Sequence, residues 1–180
     1  MSAKMQTGQT AEIPGPKKAN LLPSADVAAN LIRKAKRPLL VVGSESLNLK
    51  TEDGDLVDYA IRALKYKKLT VVATAHMIGE FRRRGVKKVN TMSLFVLGKH
   101  LSDKGWMGFD GKGPYDTVVF AGLPYYMEWL VESGLKNFSG INTISFEKSY
   151  QPNASWSLGW MSESEWRKTL DVVVSKLKEG

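Results

Sequence analysis

Three short apolar runs constrain this chain more than any other feature. They are Pro38-Leu39-Leu40-Val41-Val42, Leu69-Thr70-Val71-Val72 and Thr117-Val118-Val119-Phe120. Each ends in small residues: Gly43-Ser44, Ala73-Thr74-Ala75 and Ala121-Gly122. Runs rich in β-branched residues, with no polar alternation, fold as strands covered on both faces. Small residues at their carboxyl ends let a ligand or another stretch of backbone come close. A helix-like segment follows each run. The pattern therefore predicts an open, doubly wound α/β fold with a parallel sheet, whose ligands bind beyond the strand carboxyl ends.

The other elements fall around these runs. Ser24 is placed to cap a helix over 25–36, with Val27, Ala28, Leu31, Ile32 and Ala35 on one face. Further helices are predicted over 53–67, 77–84, 94–101 and 125–136, and from Ser162 to Lys178. Gly85 stops one of them, Pro124 opens another, and Glu165 completes a capping box with Ser162. Short strands are predicted over 86–90, 141–146 and 154–158. Residues 1–23 are polar, with Pro and Gly, and read as a flexible arm; 24–180 read as a single domain.

The chain has no cysteine. That excludes disulfides, thiolate catalysis and cysteine-bound iron–sulfur clusters on this chain. An organic cofactor or another subunit must carry any electrons. The two histidines, His76 and His100, lie in different segments and form no zinc pattern. No run is long enough to span a membrane, and the start lacks a signal-peptide apolar region, so a cytoplasmic protein is expected.

Formal charge is +8, which favours acidic partners, nucleic acid or anionic ligands. The cations cluster at Arg33, Lys34, Lys36 and Arg37, at Lys65, Lys67 and Lys68, and between Arg82 and Lys88. The first two clusters close predicted helices, where cations complement the helix dipole. The third is denser, but neither interleaved aromatics nor a nucleic-acid motif accompanies it.

Catalytic motifs are missing. Gly43-Ser44-Glu45-Ser46-Leu47-Asn48 has one glycine where a dinucleotide fingerprint has three, and no Walker sequence occurs. No serine sits in a nucleophile elbow. His76 follows a strand at a site-like position, and Asp103, Asp110 and Asp116 need not converge. Loop 102–114 carries Trp106, Met107 and Phe109, and the carboxyl end carries Trp156, Trp160 and Trp166. Aromatics in irregular backbone suit core packing or a partner interface, and both readings stay open here.

Several stretches carry a resemblance: 34–43 (KAKRPLLVVG), 106–117 (WMGFDGKGPYDT), Tyr125-Tyr126 and 136–139 (KNFS). Together they resemble the epsilon subunit of the archaeal acetyl-CoA decarbonylase/synthase complex, the carbon monoxide dehydrogenase-associated subunit. The similarity runs from about residue 24 to residue 177. The string W-x-G-x-D-G-x-G-x-Y-D-T is its most specific part.

The resemblance implies a non-catalytic subunit that stabilises the carbon monoxide dehydrogenase alpha subunit, in an alpha2-epsilon2 type assembly, and assists electron transfer to a flavin. The chemistry would be reversible acetyl-CoA synthesis and cleavage from one-carbon units. Candidate interface residues are Trp106, Phe109, Tyr125, Tyr126, Trp156 and Trp160.

More distantly, the strand endings resemble the central domain of thiamine-diphosphate enzymes. That domain is a six-stranded parallel sheet of order 3-2-1-4-5-6, carrying FAD or a nucleotide in some members. FAD is accordingly the cofactor to test for. It would lie across the first and fourth strands, lined by Gly43, Ser44, Gly122 and Leu123, with Thr74 and His76 nearby. The alternative function is a stand-alone flavin- or nucleotide-binding redox protein.

Overall fold

A computed structural model describes residues 15–178 apart from 49, 52, 53, 75 and 76. Among the described residues, seven parallel strands form one sheet. They are β1 (Asn20–Leu21), β2 (Pro38–Val42), β5 (Thr70–Ala73), β6 (Asn90–Thr91), β7 (Thr117–Ala121), β8 (Asn142–Ser145) and β9 (Trp156–Ser157). Strands β3 (Lys50–Thr51) and β4 (Gly54–Asp55) pair apart from it as a small antiparallel hairpin. The sheet order is β1-β9-β8-β7-β2-β5-β6. β2 lies at its centre, with Leu40 opposite both Val71 and Val119. All five residues of β2 and of β7 are buried, as continuous apolar runs require.

Helices cover both faces. α1 (Ala25–Lys34), α2 (Leu56–Ala63) and α6 (Glu163–Lys178) pack on one side against Leu40, Val42, Val71, Val119 and Ile144. α4 (Leu94–Ser102) and α5 (Tyr125–Phe138) pack on the other against Leu39, Val41, Val118 and Phe120. α3 (Ile78–Arg83) joins the first side through the fully buried Phe81. Trp166 is also buried there, its indole N–H donating to the Phe146 carbonyl at 2.7 Å. A cavity of about 40 Å³ between the sheet and α1, α2 and α6 is apolar and far too small for a nucleotide. No helix is long and apolar enough to cross a membrane among the described residues.

The sheet differs from the six-strand expectation at one edge. Residues assigned to the flexible arm supply β1, which extends the order past β9. Ala19 N donates to the Pro152 carbonyl at 3.0 Å, and Leu22 N to that of Ser157 at 2.9 Å. The Tyr150 hydroxyl donates to the Ala19 carbonyl at 2.8 Å. Two residues are too few to show a period, so β1 leaves no pattern in the sequence.

Local chemistry sets the helix ends. Ser24 Oγ accepts from Val27 N at 3.3 Å and starts α1 as expected. α2 starts later than predicted, because Asp55 and Asp58 form a capping box: Asp55 Oδ1 accepts from Asp58 N, and Asp58 Oδ2 accepts from Asp55 N. Position 53, where that helix was expected to start, lies outside the described residues. Arg84 forks onto Asp55 with two bonds of 2.6 Å and reaches Asp58 at 2.7 Å. Burial alone would raise the Asp55 pKa; the Arg84 fork outweighs it and holds the carboxyl below its ordinary range. At least one cation of the cluster between Arg82 and Lys88 thus joins α3 to the start of α2.

The string from Trp106 to Thr117 is a docking loop for the amino end of β2. Asp116 accepts from Lys36 N at 2.8 Å and Arg37 N at 2.9 Å. Arg37 pairs with Asp110 at 2.5 Å and stacks 5.1 Å over the Tyr115 ring. Trp106 stands 5.2 Å from His100, 5.2 Å from Phe109 and 5.7 Å from Tyr115 by ring centroids. Trp106→Ala is expected to lower stability by about 2 kcal/mol, less than full burial would give because the ring is half-buried. Urea unfolding checks this, and an unchanged midpoint would count against the loop as a staple.

Candidate functional site

The carboxyl ends of β2 and β7 do meet, and each is held by the other's backbone. Gly43 N donates to the Ala121 carbonyl at 2.9 Å, and Glu45 N to the Gly122 carbonyl at 2.8 Å. After Gly43 the chain folds into a 3-10 turn, Ser44–Leu47, which buries Ser46 completely. A β-carbon on Gly43 would strike the Gly122 carbonyl oxygen and the Leu123 side chain. One on Gly122 would strike Ser46, and its φ of +69° is one that side-chain-bearing residues rarely adopt. These small residues therefore let two loops of the same chain approach each other.

Of the six predicted cofactor residues, the structure brings Gly43, Ser44, Gly122 and Leu123 together. Thr74 joins them from the end of β5, where its N and Oγ1 both donate to the Val42 carbonyl, at 2.9 and 3.3 Å. His76 lies outside the described residues. Leu123 is buried, and its N donates to Glu147 Oε1 at 3.1 Å. A flavin or nucleotide at this edge would have to rest on the outside of the 3-10 turn, beside the Glu45 carboxylate.

Behind this edge lies a buried acidic chamber. Glu128 and Glu132 stand one turn apart on α5, both 0% exposed. The Ser145 hydroxyl faces Glu128, whereas neither carboxyl oxygen of Glu132 has a hydrogen-bond partner among the described residues, and Gln151 Oε1 has none either. Burial pushes both carboxyls well above their ordinary range. The charges of Glu132 and Glu147 add to the effect at Glu128, and that of Glu147 adds to it at Glu132. The Ser145 hydroxyl opposes the first shift and Lys136 the second. Glu147 is pushed up to about 7, chiefly by burial, against its bonds from the N–H groups of Leu123 and Gly122. A carboxyl in such surroundings holds its proton near neutrality.

No three acidic or histidine side chains converge as a metal site among the described residues. Glu128 and Glu132 can hold protons, and with both side chains 0% exposed they offer a substrate no contact. The sequence reading passed over it because charged residues on a helix are normally solvated. The available signal was spacing: Glu128 and Glu132 share the inward stripe of Val131 and Leu135.

The six candidate interface residues separate. Trp106 and Phe109 belong to the docking loop. The Tyr125 hydroxyl donates to the Tyr150 carbonyl at 3.3 Å, and Trp156 packs on the core. Tyr126 and Trp160 are exposed, at 66% and 41%. The sequence reading missed four others: Phe95, Val96, Leu130 and Phe138, exposed by 51%, 46%, 50% and 76%. With Tyr126 they give the outward sides of α4 and α5, which meet where Val131 packs on Gly98, an apolar surface. Their signal was apolar residues off the core-facing stripe, Leu130 beside Val131 for example.

Comparison with known proteins adds the following. The family described as CO dehydrogenase beta subunit/acetyl-CoA synthase epsilon subunit matches residues 3–174. Over 133 residues the chain is 43% identical to the acetyl-CoA decarbonylase/synthase complex subunit epsilon 1 of Archaeoglobus fulgidus, covering 73% of this chain and 69% of that one. It is 35% identical over 176 residues to the complex subunit epsilon of Methanothrix soehngenii, covering 95% and 90%. Against subunit epsilon 1 of Methanosarcina barkeri it is 34% identical over 154 residues, covering 86% and 87%.

Proposed function

The chain belongs to the CO dehydrogenase beta subunit/acetyl-CoA synthase epsilon subunit family, and on that premise we propose that it serves as a non-catalytic, epsilon-type subunit of an acetyl-CoA decarbonylase/synthase complex. It docks on the carbon monoxide dehydrogenase alpha subunit and stabilises it. The observation that carries this reading is the exposed apolar surface of α4 and α5, formed by Phe95, Val96, Tyr126, Leu130 and Phe138. Exposed apolar side chains gathered on two neighbouring helices favour a protein interface over a solvated face. Exposed aromatics are the residue types that anchor such contacts. The absence of cysteine fits a partner that carries the metal clusters.

Two substitutions test the surface in the full chain co-expressed with the alpha subunit of its complex. Tyr126→Asp and Leu130→Asp combined are expected to weaken co-purification by about tenfold or more, with thermal melting unchanged. Full recovery of the alpha subunit by the variant would place the contact elsewhere. Failure of the unaltered chain to associate would remove the subunit reading itself.

A further inference from the structure

The helices on the face opposite α4 and α5 end together. The carboxyl ends of α1, α2 and α6 surround a concavity of about 490 Å³ at the pole where β2 begins. Its lining includes five exposed cations: Arg33, Lys65, Lys67, Lys68 and Lys178. The other lining residues are Tyr66 and Leu177, both buried. Among the described residues, no acidic side chain lines it and none of the five cations has an ion-pair partner. By contrast, Arg62 and Lys176 of the same helices are paired, with Asp171 and Asp26.

Capping explains part of this charge. Lys68 Nζ donates to the Ala35 carbonyl at 3.5 Å, and the Tyr66 hydroxyl to that of Arg33 at 3.4 Å. Carbonyl groups at helix ends attract cations within the last turn. Lys65, Lys67 and Lys68 all follow α2, more than one helix end calls for, and with Arg33 and Lys178 they share a single concavity. The repulsion among such cations is relieved when an anionic surface meets them.

We propose that this cationic pole is a docking surface for an acidic protein surface, on a chain other than the one held by α4 and α5. The inference rests on the subunit reading above, and it makes the subunit two-sided. Two features favour protein carboxylates over phosphate. Phosphate sites use backbone N–H groups at helix amino ends, whereas here the carbonyl ends converge, and they repel a compact anion drawn in close. The cations also sit on long, exposed side chains spread around a broad rim, which suits carboxylates distributed over a surface.

The test uses the full chain with a fluorescent decaglutamate peptide, a short DNA duplex and inorganic tripolyphosphate as probes. Lys65→Gln, Lys67→Gln and Lys68→Gln are combined in one variant. Arg82→Gln, Lys87→Gln and Lys88→Gln form a control that removes the same number of charges elsewhere. Decaglutamate is expected to bind the unaltered chain and the control alike, and to bind the first variant about tenfold more weakly. Circular dichroism melting confirms that both variants fold.

Equal loss in both variants would overturn the proposal, since net charge alone would then explain binding. Tighter binding of the duplex or of tripolyphosphate than of decaglutamate would overturn it too. The first variant should still co-purify with the alpha subunit, because α4 and α5 are untouched. Loss of alpha-subunit binding in that variant would overturn the assignment of the two faces to separate chains. Absence of decaglutamate binding, with alpha-subunit binding intact, would end this inference and leave the subunit reading standing.

Discussion

Gly122→Val is expected to destabilise the protein by roughly 3–5 kcal/mol, enough to unfold most of the chain under mild conditions. Two costs add. A β-branched residue resists the φ of +69° that ends β7, and its side chain must push into Ser46 and Leu56. Ser46 cannot yield easily, because the 3-10 turn that carries it is bonded to the Gly122 carbonyl through Glu45 N. Because φ there is positive, the variant reports on folding, and flavin titration belongs on the unaltered protein. Gly134→Ala is the contrast: in α5, with nothing within 4 Å of the added carbon, it should stabilise by about 0.5–1 kcal/mol. Urea denaturation of both variants checks the pair. A Gly122→Val protein with a near-normal midpoint would show that the two loops separate freely.

Stability should fall as pH rises, the reverse of ordinary acid denaturation. Glu128, Glu132 and Glu147 titrate near 4.5 when unfolded and higher when folded. The folded protein therefore binds more protons across that interval. The stability these groups contribute is fully present below the unfolded value, and it is lost as pH climbs through the folded ones. Glu147 alone, moving from 4.5 to about 7, corresponds to about 3 kcal/mol. Lys136 and Lys148 moderate the effect, and Glu45 strengthens it. Melting temperature should drop as pH rises from about 5 through about 7, where Glu147 loses its proton. Glu132→Gln keeps the shape, removes one proton to be lost, and should raise stability at the alkaline end by about 1–3 kcal/mol. Its effect at the acid end should be small. A flat pH profile, or a glutamine variant weaker than the parent in alkali, would contradict the chamber as described.

The sheet was readable because β2, β5 and β7 are buried on both faces, which leaves no choice of residue but apolar ones. The caps at Ser24 and Ser162 were readable because a hydroxyl bonding a nearby N–H is a local event. What escaped depends on distant partners. β1 exists only because β9, more than a hundred residues away, offers its edge. Glu128 and Glu132 look solvated until β8 is placed beneath them. Gly43 and Gly122 announced a close approach correctly, but no sequence rule says whether the visitor is a ligand or the chain itself. The 106–117 string was distinctive in composition, yet its role in gripping Lys36 and Arg37 follows from contacts about eighty positions apart.

The pairing of β1 with β9 also sets an order of events during synthesis. Residues 19–22 leave the ribosome long before their partners at 152–157. The inner strands can associate while the edge they will leave behind is still inside the ribosome. Residues 19–22 wait without their sheet partner until β9 has been made. Their docking is a closing step that fastens the outer margin of the finished sheet.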